Sequence, residues 1–158
     1  MSKMPQFPQK EIKPILGPGK PGDLMGYHLN QKYMMPEELI RQVYDDGNVV
    51  GIECSLRINQ YHGSPLSMLK SITARYDGLE FVNDPMTLTV CGHKYNFEEM
   101  KTMSTIFWEF GEFVQLFIPI PGGVGLGVHK LEVGITWNSG IRPGRAAWVS
   151  ATINFIEN

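Results

Sequence analysis

Two carboxylate pairs stand out in the chain: Glu98-Glu99, and Glu109 with Glu112 around Phe110 and Gly111. Paired carboxylates at a cleft do general acid–base work, so these are the first candidates for chemistry. Neighbouring residues on a helix point in different directions, so Glu98 and Glu99 do not converge. Carboxylates in a first helical turn are in any case favoured by the helix dipole. In Trp108-Glu109-Phe110-Gly111-Glu112 two aromatics and two carboxylates surround a glycine at the entry to a strand. Trp108 and Phe110 are expected to pack, leaving Glu109 and Glu112 exposed or at an interface. No spacing rule carries the two acids into a cleft, which makes a self-sufficient hydrolase built on them a poor reading.

The four histidines, His28, His62, His93 and His129, include no two at a spacing of three to five residues, and no carboxylate cluster completes a metal set. His62, in Tyr61-His62-Gly63-Ser64-Pro65, sits in a loop at a strand end, where functional side chains are commonly displayed. Gly122-Gly123-Val124-Gly125-Leu126-Gly127 looks like a phosphate-cradling loop, but such loops lead into a helix N-terminus and this one leads into a strand pattern. An inter-strand turn with left-handed glycines is the better reading. Trp137-Asn138-Ser139-Gly140-Ile141-Arg142-Pro143-Gly144-Arg145 gathers indole, amide and guanidinium groups between two strands. Those groups suit carbohydrate, aromatic ligands or a protein hot spot, and an ordinary long hairpin loop suits them as well. No nucleophile–base–orienter set is visible, so a self-contained active site is not expected.

The elements that must carry these residues read as strands. From Asn48, Val50, Ile52, Cys54, Leu56 and Ile58 alternate with Gly51, Glu53, Ser55, Arg57 and Asn59. Strict alternation puts one face in a core and the other in water. The pattern returns at Ile72–Tyr76, Met86–Val90, Val114–Ile118, Leu131–Trp137 and Ala147–Phe155, with Asp77-Gly78 as a two-residue hairpin turn. A short helix is expected from Asn96, and another is permitted from Pro36 to Tyr44. Prolines 5, 8, 14, 18 and 21 keep the amino-terminal stretch out of any sheet or helix, yet it carries Ile12, Ile15, Leu16, Leu24 and Met25. The expectation is an all-β, antiparallel β-sandwich-like single domain over 48–158. An extended arm over 1–47, suited to wrapping a partner, and one short helix complete it.

Composition narrows the partners. The 158 residues carry 14 Lys and Arg against 16 Asp and Glu, a net charge of −2, without the basic excess that nucleic-acid binding needs. No apolar run approaches the ~20 residues that span a bilayer. Met1–Lys20 holds five charged residues and four prolines, unlike a secretory signal, so a cytoplasmic location is expected. Cys54 and Cys91 are too few for a disulfide scaffold.

One ordered set of segments resembles a known family. Gly51–Ser67 with Tyr61, Gly63 and Pro65-Leu66-Ser67 comes first, then Tyr76-Asp77-Gly78 and Tyr95-Asn96-Phe97-Glu98-Glu99-Met100. Trp108-Glu109-Phe110-Gly111-Glu112, Pro121-Gly122-Gly123, Gly127, His129 and Leu131–Val133 follow. Together they resemble the small (β) subunit of bacterial C-glycoside deglycosidases, from about Asn48 to Phe155. The arm has no counterpart in that pattern, Phe107 replaces a basic or polar residue, and Trp137–Arg145 matches poorly.

The resemblance implies a lyase of two unlike chains. Its larger α subunit is an (α/β) barrel similar to sugar isomerases and holds a divalent, manganese-like metal, with no cofactor in the small chain. The implied substrates are C-glycosides already oxidised to the 3-ketone, such as flavonoid C-glucosides. A carbon–carbon glycosidic bond has no lone pair to protonate, so two-carboxylate hydrolysis cannot cleave it. A 3-ketone instead acidifies the C2 proton; a base removes it and the aglycone leaves by β-elimination. The small chain would then brace the barrel and wall the aglycone side of its cleft. Tyr61, His62, Trp108, Glu109, Trp137 and Arg142 are the residues expected to face substrate or partner, with no catalytic residue in this chain. The alternative is a non-enzymatic carbohydrate- or protein-binding β-sandwich module.

Overall fold

The computed structural model describes residues 32–60, 62–138 and 143–156. Residues 1–31 of the expected arm, together with Tyr61 and Arg142, lie outside the described residues. Eleven strands are present among those described. The first four are β1 (Arg41–Asp45), β2 (Asn48–Leu56), β3 (Ser64–Pro65) and β4 (Leu69–Tyr76). They are followed by β5 (Leu79–Val82), β6 (Thr87–Val90), β7 (His93–Tyr95) and, after a single helical turn α1 (Phe97–Met100), β8 (Phe107–Trp108). The last three are β9 (Val114–Pro119), β10 (Gly127–Trp137) and β11 (Ala146–Phe155).

They form a five-stranded sheet in the order β1-β2-β9-β6-β7, a four-stranded sheet β11-β10-β4-β5 and a two-stranded ribbon β3-β8, every pairing antiparallel. The alternation predicted for β2 points Ile52, Cys54 and Leu56 inward from the first large sheet, and that of β10 points Leu131, Val133 and Ile135 inward from the second. These side chains are all buried in one continuous hydrophobic cluster. One core closed by two sheet faces is the all-β sandwich arrangement.

Three hairpins set the registers. Asp46-Gly47, Asp77-Gly78 and Cys91-Gly92 each place two successive residues at positive φ, between the partners Asp45↔Asn48, Tyr76↔Leu79 and Val90↔His93. That is the type I′ geometry whose twist matches antiparallel strands. The helix expected at Asn96 starts there: Asn96 Oδ1 accepts from the Glu99 amide, and Glu99 Oε1 accepts from the Asn96 amide, both at 2.8 Å. This capping box occupies Glu99, and Glu98 pairs with Lys101 at 2.9 Å, so neither acid is set up for catalysis.

The helix permitted between Pro36 and Tyr44 is not formed. Glu37–Leu39 make a 3-10 turn and the chain then extends into β1, pairing Arg41 with Glu53 and Val43 with Gly51. A sheet edge offered by β2 satisfies more backbone groups than an isolated two-turn helix would. The last residues counted in the arm are therefore part of the five-stranded sheet. No helix among the described residues is long and apolar enough to cross a membrane.

Cys54 is fully buried in this core. Desolvation, and secondarily the charge of Glu53, pushes its thiol up from 9.0 to about 12. Both cysteines are free, Cys91 being exposed. Because the thiol titrates later in the folded chain than in the unfolded one, the neutral thiol's full stabilisation is present below pH 9.0 and is lost as pH rises toward about 12. The slope should be about 1.4 kcal/mol per pH unit, measured as the urea midpoint across that range. Burial and Asp77 raise Tyr76 in the same direction, so the diagnostic comparison is Cys54→Val: its stability should fall less steeply with pH than that of the wild type. Equal slopes would refute the assignment.

Candidate functional site

Of the residues expected to face substrate or partner, the four that are described, His62, Trp108, Glu109 and Trp137, gather at one end of the sandwich. The ribbon β3-β8 pairs Ser64 with Trp108 and Pro65 with Phe107, and two further backbone bonds, Leu66 N to Ile106 O at 2.9 Å and Ser67 N to Met103 O at 3.1 Å, extend the clasp. It presses the His62–Gly63 loop onto Trp108–Glu109. The fit is close enough that a Cβ on Gly63 would strike the Glu109 carboxylate and come within 3.0 Å of the Trp108 carbonyl. His62 is exposed on this loop, its Nδ1 2.9 Å from the carbonyl oxygen of Gly63.

After β8 the chain turns sharply. The Glu112 amide donates to the Glu109 carbonyl at 3.2 Å, and Gly111 takes φ 85°, the left-handed third position of a type II turn. This geometry puts Phe110 at the apex, so Phe110 is 47% exposed rather than packed as expected. Glu109 and Glu112 stand exposed on either side of it, as the sequence indicates.

Arg57 holds the turn from beneath. Its Nη1 donates to the Tyr33 carbonyl at 2.9 Å and its Nε to the Gly111 carbonyl at 3.3 Å. The guanidinium lies 3.9 Å from the centre of the Phe113 ring and 4.4 Å from that of Tyr33, a cation held between two aromatic faces. Tyr33 in turn lies 6.4 Å from Phe110. Reading strand alternation places Arg57 on an outward face but cannot show its partners, which come from distant segments.

Trp108 and Trp137 lie under this surface rather than on it, at 0% and 4% exposure. Their rings pack against each other with centroids 5.8 Å apart, tilted by 51°. Each buried indole N–H has an acceptor: Asn59 Oδ1 at 2.8 Å for Trp137, the Glu112 carbonyl at 3.3 Å for Trp108. They pack beneath the exposed residues of this surface. The loop after Trp137 leaves from the same end, its stem closed by Asn138 N to Met68 O at 2.8 Å and Gly144 N to Trp137 O at 2.7 Å.

Beside Glu109 and Glu112 lies a shallow hollow of about 350 Å³ lined also by Cys91, His93, Tyr95 and Phe107. A larger one of about 570 Å³ lies on the outer face of the five-stranded sheet, where Arg41 and Glu53 are already paired at 2.6 Å. At the opposite end of the four-stranded sheet His129 Nδ1 bonds Asp77 Oδ2, and its Nε2 is 3.2 Å from the Gly125 carbonyl. These two contacts tie the glycine-rich loop to the Asp77-Gly78 turn. That loop has Gly122, Gly123, Gly125 and Gly127 at positive φ and runs straight into β10, so it is an inter-strand turn. No group of three or more His, Cys, Asp or Glu side chains among the described residues could hold a metal ion.

The structure thus brings together His62, Trp108, Glu109 and Trp137, adds Arg57, Tyr33 and Phe110, and presents an aromatic and acidic surface. The family described as C-glycoside deglycosidase beta subunit matches residues 30–140, which include all of these positions. The chain is similar to the C-glycoside deglycosidase beta subunit of Eubacterium cellulosolvens, 28% identical over 98 residues that cover 62% of this chain and 67% of that protein.

Proposed function

The chain belongs to the C-glycoside deglycosidase beta subunit family, and from that membership we propose that it is the accessory chain of a lyase that cleaves the carbon–carbon bond of 3-keto C-glycosides. As a beta subunit it works with another subunit. In this reading the partner is a larger barrel-type α subunit that supplies the proton-abstracting base and the divalent metal. This chain stiffens the partner and walls the aglycone side of its cleft. Flavonoid C-glucosides oxidised at the sugar 3-position are the proposed substrates.

The family match carries the reading, and the site supports it. Its side chains are held in fixed positions by a buried tryptophan pair and a stapled arginine, which suits recognition. Of the two histidines near this surface, His62 bonds a neighbouring carbonyl and His93 lines the adjoining hollow.

Co-expression with the larger chain provides the test. Release of free aglycone from a 3-keto C-glucoside should require both chains, with neither active alone and the unoxidised C-glucoside inert. Turnover by the isolated chain would overturn the proposal. A chain that binds the glycoside but adds nothing to the partner's turnover would be a carbohydrate-binding module instead.

A further inference from the structure

Resting on that reading, we infer that the larger subunit docks on the Phe110 end of the sandwich, through an apolar pocket rimmed by Lys or Arg side chains. Three large aromatics are exposed there, Tyr33 at 38%, Phe107 at 40% and Phe110 at 47%. Aromatic side chains held rigidly at a surface are the usual anchors of a protein interface, because little freedom is lost when they are buried. Phe110 is held in this way by the Gly111 turn and by the Arg57 staple below it.

Charge supplies the second observation. Several acids elsewhere are paired within the chain, Glu53 with Arg41, Glu80 with Arg75, Glu98 with Lys101 and Glu132 with Lys130, whereas the exposed Glu38, Asp45, Asp46 and Asp84 have no such pairing among the described residues. Glu99 and Glu37 accept backbone amides. Glu109 and Glu112 have no such cation or amide among the described residues, and they flank the apex aromatic. Arg57 does not neutralise them, since its donors go to the carbonyls of Tyr33 and Gly111 and its faces to two rings. Two unneutralised carboxylates around an apolar anchor call for a basic rim around an apolar pocket. Tyr33, Phe107, Phe110 and both acids also fall inside the family-matched segment, as the docking face of a family subunit should.

The experiment measures affinity between the full-length chains by surface plasmon resonance, over a range of salt concentrations. Phe110→Asp should weaken binding at least about 30-fold, the loss typical of a hot-spot anchor. Glu109→Lys with Glu112→Lys should weaken it and flatten its salt dependence. Val128→Asp, an exposed apolar position at the opposite end, should bind like wild type, and unchanged circular dichroism and melting show that the variants are folded. Folded Phe110→Asp and charge-reversed chains that bind like wild type would overturn the docking surface alone, as would loss of binding confined to Val128→Asp. Wild-type chains that fail to bind one another would overturn the accessory-subunit reading as well.

Discussion

Replacing Trp108 with alanine should lower folding stability by about 3–5 kcal/mol, the range for removing a large aromatic side chain from a packed core. The indole is completely buried, packs on Trp137 at 5.8 Å, and sits in the strand that clasps Ser64. Its removal leaves a cavity beneath the His62–Gly63 loop and leaves the Glu112 carbonyl without the donor it has at 3.3 Å. No neighbouring side chain can slide in, because β8 is held on one side by β3 and Trp137 is tied to Asn59 at 2.8 Å. Trp108→Phe keeps most of the ring contact and loses the N–H bond and part of the volume, for about 1–2 kcal/mol. Urea unfolding followed through Trp137 and Trp148 should show the midpoint falling in that order at constant slope. An alanine variant within about 1 kcal/mol of wild type would show that the tryptophan pair does not hold the site.

The same pair shows what could be read from the chain and what could not. Period-two patterning announces β2 and β10, because an inward side chain on a half-buried strand must be apolar at every second position. Asp77-Gly78 announces its hairpin for the same local reason: the φ values of 45° and 85° are those its turn demands. By contrast, β3 and β8 are two residues each and exist only through their pairing, so no pattern within either segment reveals them. β1 is an edge strand whose five residues, Arg41-Gln42-Val43-Tyr44-Asp45, carry no decisive period of their own. Trp108 packs, as expected, and Trp137 packs against it; patterning alone does not show that each indole N–H finds a carbonyl acceptor, which removes the cost of burying it. The position of Phe110 follows from Gly111 at the next position, and the role of Arg57 depends on two rings, Tyr33 and Phe113, from segments distant in the chain.

Gly51 tests whether close backbone approach matters as much as core packing. It lies in β2 between Val43 of β1 and Pro119 of β9, fully buried. Its backbone is not in the left-handed region, so nothing in its conformation calls for glycine; the space around it does. A Cβ there would collide with the Ile118 carbonyl oxygen and lie 2.9 Å from a Phe117 ring carbon and 3.0 Å from the Ile120 nitrogen. Two of these three are backbone atoms held in the sheet, where Ile120 N bonds Val50 O at 3.0 Å and Gly122 N bonds Val49 O at 3.0 Å. Gly51→Ala can be accommodated only by prying β9 off β2, which combines overpacking strain with weakened ladder bonds and should cost about 3–4 kcal/mol. Gly134 provides the control. A Cβ there meets the Trp148 indole at 2.7–2.8 Å, but Trp148 is 39% exposed and free to swing outward, giving up its stacking with Arg75 at 4.4 Å. Gly134→Ala should therefore cost only about 1 kcal/mol. If urea midpoints placed Gly134→Ala below Gly51→Ala, mobile side chains rather than fixed backbone would be what limits packing in these sheets.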